Sequence, residues 1–156
     1  MVRLWLCIVL LLAGGCAPLK AQRVKAGAAE IRRSLYVPAD AVLLAETERS
    51  DALAYAHGCT GVLVEIAYGV NRPFEEVIEE YHQALLASGW ELSPSYSPNK
   101  TDRFAFYRKG PKVDLQIDST PAWVSLPTLD PDRQHFMTVY VILITYTDPS
   151  NDDCIG

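Results

Sequence analysis

Val62-Leu63-Val64-Glu65-Ile66-Ala67-Tyr68-Gly69-Val70-Asn71-Arg72-Pro73-Phe74-Glu75-Glu76-Val77-Ile78-Glu79-Glu80-Tyr81 changes its hydrophobic period part-way along. Val62, Val64, Ile66 and Tyr68 alternate with Leu63, Glu65 and Ala67, the pattern of a strand with one strongly apolar face. From Phe74 the apolar positions are Phe74, Val77, Ile78, Tyr81 and Leu85, spaced by three and four, so residues 73–88 read as an amphipathic helix packed by one side. Pro73 suits the first turn, where its missing N–H has no partner to lose. Asn71 or Arg72 is the expected cap, Asn71 being the better by type. Glu75 and Glu76 complement the positive end of the helix dipole. Gly89 supplies a stop, after which Trp90 can fold back onto the last turn.

Strands flank this unit on both sides. Ala41–Thr47 reads as a first strand and Glu48–Thr60 as a polar loop. Arg103–Arg108 and Lys112–Asp118 are separated only by the turn Lys109-Gly110-Pro111, which predicts a hairpin with Val113, Leu115 and Ile117 inward. His135–Thr147, rich in Val, Ile, Thr and Tyr, is the strongest strand of all. The order β-β-α-β-β-β, with hairpin-length connections, predicts an α+β fold: an antiparallel sheet of about five strands with one amphipathic helix (73–88) packed on one face. A ferredoxin-like sheet would want a second helix near 119–135, where Pro121, Pro127, Pro131 and Trp123 make a poor one.

The chain has 156 residues, 49% hydrophobic and 21% charged, which suits one domain and excludes a wholly disordered chain. A net charge of −5 argues against a general nucleic-acid binder. That average conceals a division. Lys20, Arg23, Lys25, Arg32 and Arg33 against Glu30 give residues 16–35 a net +4, whereas residues 36–156 carry 8 basic and 18 acidic residues, a net −10.

At the start of the chain, Arg3 precedes the apolar run Leu4-Trp5-Leu6-Cys7-Ile8-Val9-Leu10-Leu11-Leu12-Ala13. A spanning helix needs roughly 20 apolar residues, so this run reads as a signal peptide (residues 1–15) rather than a retained anchor. Ala13-Gly14-Gly15-Cys16 then resembles the lipobox of bacterial lipoproteins, with Ala13 where that family usually has Leu. The resemblance covers residues 1–16. It implies acylation of Cys16 by fatty acids such as palmitate, export, and a membrane anchor at the cell envelope. Ala17 rather than Asp after the cysteine implies the outer membrane where the cell has one, and otherwise the outer face of the plasma membrane. The competing reading is ordinary cleavage near Gly15 and a soluble exported protein.

With Cys7 removed and Cys16 acylated, Cys59 and Cys154 remain, an even pair in an oxidising compartment. We expect them to be bridged, at about 4–5 kcal/mol in the loop-entropy model; two reduced thiols are the alternative. Residues 16–36 read as a basic tether beside the anchor, partly helical through Ala26–Arg33 and ended by Tyr36-Val37-Pro38. There it either meets anionic headgroups or is simply a solvated linker. Residues 37–156 then form the single α+β domain.

Catalytic signatures are sparse. His57, His82 and His135 lack metal-ligand spacing, and there is no Cys-x-x-Cys, nucleophile elbow or phosphate loop. Glu75-Glu76 and Glu79-Glu80 make an acidic helix face best read as solvated. Asp148, Asn151, Asp152 and Asp153 offer oxygens for calcium without the spacing of a calcium loop. No catalytic residue, metal or cofactor is therefore assigned. The aromatics point to binding instead: Trp123 on the proline-rich loop, with Tyr107, Tyr140 and Tyr146, could line the sheet face that the helix leaves open. The alternative is that the 119–134 loop closes over that face. The expected function is a non-enzymatic, membrane-anchored envelope lipoprotein that binds an envelope protein or a small ligand. A purely structural tethered module, or a hydrolytic or accessory enzyme with an unrecognised His/Asp site, is the alternative.

Overall fold

A computed structural model describes residues 16–50, 61–93, 104–119 and 135–147, with side chains from residue 21 onward. The elements are α1 (Cys16–Ser34), β1 (Val42–Arg49), β2 (Gly61–Val70), α2 (Phe74–Ala87), β3 (Glu91–Leu92), β4 (Phe104–Arg108), β5 (Val113–Asp118) and β6 (Thr138–Thr147). Six strands form one sheet in the order β1-β2-β6-β5-β4-β3, and every neighbouring pair is antiparallel. The α+β class and the antiparallel sheet are as the sequence predicts. The described residues add one helix, α1, and the two-residue strand β3.

Register explains the core. Val64, Ile144, Leu115 and Tyr107 stand side by side across β2, β6, β5 and β4, and Ile66, Ile142, Ile117 and Ala105 form the next row. These eight are nearly or wholly inaccessible to solvent. The strands' period of two therefore sends one residue set into a single apolar layer beneath both helices.

Helix α2 covers part of that layer with Phe74, Val77, Tyr81 and Leu85, the positions the 3–4 spacing marks. Its cap position is Pro73, without a side-chain cap, in place of Asn71 or Arg72. Both of those groups serve the start of β6 instead. Asn71 Oδ1 accepts from the Met137 N–H at 3.3 Å, and the Arg72 carbonyl accepts from Thr138 Oγ1 at 2.8 Å. At the other end Gly89 turns the chain at φ +80°, the Trp90 N–H donates to the Leu85 carbonyl, and Trp90 is buried.

The basic stretch expected to be helical only through Ala26–Arg33 is helical from Cys16 to Ser34, and α1 packs on β2 and β6. Val24 and Ala28 are fully buried in the core, with Ile31, Leu35 and Tyr36 packed against it. The folded unit thus begins well before residue 37. The stripe has helical spacing but is made of small or isolated apolar residues, so it is faint in sequence. Its basic residues are partly engaged with the edge strand: Arg32 pairs with Glu46, and Lys25 Nζ lies 3.6 Å from Glu48. Such exposed pairs contribute little, about 0–1 kcal/mol each.

Candidate interaction face

With both helices on one side of the sheet, the opposite side is lined by the other residue set. Its rows follow from the register. Arg49, Leu63, Thr145, Asp114 and Arg108 form one row across five strands; Thr47, Glu65, Leu143, Gln116 and Phe106 form the next. A third row runs Ala45, Ala67, Val141, Asp118 and Phe104. Ala67, Val141 and Leu143 are buried there, with Leu44, Ala45 and Leu63 packed around them.

Between the first two rows lies a depression of about 210 Å³ lined by Leu63, Phe106, Asp114, Gln116, Leu143 and Thr145. Leu63, Phe106 and Leu143 give it apolar walls, and the other three provide hydrogen-bonding groups. Asp114 accepts from Arg108 Nε at 2.8 Å, which holds one charged corner in place.

Beside the depression, Glu65 is the one charged residue in an otherwise apolar strand, and its side chain is only 9% exposed. A buried carboxylate is costly without partners. Here Thr47 Oγ1 donates to Glu65 Oε2 at 2.8 Å and Arg49 Nη2 reaches Oε1 at 3.4 Å, both from the edge strand β1. In the sequence, Glu65 falls simply on the less apolar side of its strand. The signal that marks it is the isolated acid in Val62–Val70.

The tyrosines expected on an open face lie on the helix-covered side. Tyr107 and Tyr140 are fully buried, and Tyr146 is half-buried against α1. Tyr140 Oη is 3.2 Å from Tyr81 Oη, and their rings meet edge to face at 5.8 Å. Burial pushes both phenols well above the ordinary range, and the Tyr107 phenol is pushed up to about 12 by burial, with Glu79 adding to it. Their place is in the core, not on a binding platform. His82, read as a surface residue, is half-buried with Nδ1 3.2 Å from Tyr107 Oη; His135 is exposed. Trp123, His57, Cys59, Cys154, the signal segment 1–15 and the acidic group from Asp148 onward lie outside the described residues, as does the side chain of Cys16.

A third charged group sits where α1 hands over to β1. Glu80 accepts from Tyr36 Oη and pairs with Arg72, whose Nε lies 3.1 Å from Asp40 Oδ2 without the alignment of a hydrogen bond. The Tyr36 hydrogen bond, then that from Arg72, holds the Glu80 carboxyl below the usual carboxylate range. This cluster ties α1's exit to α2 and reads as structural.

Among the described residues no group of three or more His, Cys, Asp and Glu side chains could hold a metal ion, and no helix is long and apolar enough to cross a membrane. Compared with protein-family models, curated protein sequences and solved structures, the chain matches none.

Proposed function

We propose that this chain is an acyl-anchored envelope lipoprotein whose second sheet face docks a partner protein. The anchor rests on the Ala13-Gly14-Gly15-Cys16 pattern and the apolar run before it. The docking role rests on one observation: the depression formed by Leu63, Phe106 and Leu143 beside Asp114, Gln116 and Thr145.

Size favours one of the two kinds of ligand. Small-molecule sites usually have about 300–1,000 Å³ and enclose most of their ligand. A depression of about 210 Å³ instead suits one anchoring side chain of a partner, the arrangement of an interface hot spot. The walls favour an apolar anchor, and Asp114, Gln116 and Glu65 around it favour a donor group beside that anchor.

A photoreactive amino acid replacing Phe106 in the exported protein should give an adduct of one defined mass. The same group at Glu76, on the exposed side of α2, should not. Absence of an adduct from position 106, or equal labelling from both positions, would overturn the docking role. Loss of fatty-acid labelling in Cys16→Ser tests the anchor separately.

A further inference from the structure

Helix α1 fixes how the domain would stand on a membrane. Moving from Arg32 to Lys25 along α1, the ion-pair partner moves from Glu46 to Glu48, toward the end of β1. The N-terminus of α1 therefore points to the pole of the sheet where β1 ends, β2 begins, β6 ends and β5 begins. Cys16 lies eleven residues before Gly27, about 16 Å along the helix at 1.5 Å per residue. Gly27 rests on Tyr146, and Tyr146 pairs with Val113.

From that same level the β4–β5 hairpin extends toward the same pole. Gly110 precedes Val113 by three residues, a reach of up to about 10 Å at strand rise. The first residue of α1 and the hairpin tip thus project from the same pole, the helix by about 16 Å and the tip by up to about 10 Å. The tip reads Arg108-Lys109-Gly110-Pro111-Lys112, three bases in five residues with no acid among them. Gly110 and Pro111 are exposed, and so is Arg108, whose Nε donates to Asp114 at 2.8 Å, whereas Lys112 is buried, so the bases at the tip's surface are Arg108 and Lys109. Lys109 is braced, its Nζ donating to the Ser88 carbonyl at 2.9 Å and lying 5.8 Å from the Trp90 ring centre. Arg23 and Lys25 of α1 are exposed on the way to the same pole.

We infer that the Arg108–Lys112 hairpin tip is a second membrane contact, set against anionic headgroups beside the acylated Cys16. The inference rests on the anchor reading and deepens it. Because α1 is packed on the sheet through Val24 and Ala28, the anchor does not leave the domain free to tumble on a leash. One acyl signal plus a basic surface is an effective combination for stable attachment, and here the surface comes from a hairpin nearly a hundred residues away in sequence.

The test uses the mature protein reconstituted into vesicles of phosphatidylcholine, with or without phosphatidylglycerol. Its intact mass reports the acyl chains independently. A fluorescent amino acid is placed at Pro111, or at Val42 on the opposite pole. A headgroup-bound quencher should reduce emission at position 111 several-fold more than at position 42 when phosphatidylglycerol is present. Arg108→Glu with Lys109→Glu should bring position 111 to the level of position 42; Arg108→Gln with Lys109→Gln, the gentler pair, should move it part of the way. Equal quenching at the two positions, or quenching at 111 indifferent to both anionic lipid and charge, would overturn the hairpin contact while leaving the anchor standing. A mature mass without acyl chains would instead overturn the anchor, and the hairpin contact with it.

Discussion

Gly27 of α1 lies so close to the Tyr146 ring of β6 that a β-carbon at Gly27 would come 2.3 Å from Cζ. That approach lets a helix with few large apolar residues seat itself on the sheet. It also gives a substitution whose sign depends on its background. In a helix interior Ala is favoured over Gly by about 1 kcal/mol, but here the added methyl must displace the ring, an overpacking cost of about 1–3 kcal/mol. Gly27→Ala should therefore lower stability in the native background. With Tyr146→Ala already present, it should raise it. Urea unfolding of the four proteins measures both; the same sign in both backgrounds would mean that α1 is not seated on Tyr146.

The Tyr81–Tyr140 contact joins α2 to β6 at the centre of the core. Removing one hydroxyl strands the other in a buried site, at about 1–3 kcal/mol. Tyr81→Phe and Tyr140→Phe should each destabilise, and the double variant should lose clearly less than the two losses added. Additive losses would show that the two hydroxyls do not depend on each other.

Legibility in the sequence followed the strength of the period. β2 and α2 were readable because the hydrophobic spacing changes from two to 3.6 within a few residues, and Gly89 marks the stop. β3, two residues long, is too short to show a period. α1 was faint because Val24, Gly27 and Ala28 make an apolar stripe with little bulk. Assignment of the tyrosines to a face failed for another reason. Phe104-Ala105-Phe106-Tyr107 and Val139-Tyr140-Val141-Ile142 are continuous apolar runs, so alternation does not say which parity faces inward. Pairing decides it: Tyr107 stands opposite Leu115, and Phe106 opposite Gln116. The candidate depression combines residues from four strands, a juxtaposition created by register alone.

Glu80 links stability to pH. Its hydrogen bonds from Tyr36 and Arg72 lower its folded pKa, so they contribute stability above the unfolded carboxyl value of about 4.3. That contribution is lost as pH falls through the folded value. Between pH 5 and pH 3 the native protein should lose more stability than Glu80→Gln, and Tyr36→Phe should reduce the difference. Urea midpoints across this range measure it; parallel curves for the native protein and Glu80→Gln would remove Glu80 from the acid response.

Glu65 separates stability from recognition. Its carboxylate is desolvated on the second face and held by Thr47 and Arg49. Replacing a buried ion-pair member by an apolar residue of similar size is often neutral or stabilising when its partner can return to water, and Arg49, with a side chain 57% exposed, can do so. Thr47 is only half-buried, so its hydroxyl is not stranded in the core. Glu65→Leu should therefore leave unfolding stability unchanged or raise it by up to ~2 kcal/mol. If the face docks a partner through a donor group beside the depression, the same variant should weaken photo-crosslinking from position 106. Stability kept with crosslinking lost would identify Glu65 as a recognition residue; both kept would confine its role to joining β1 to β2.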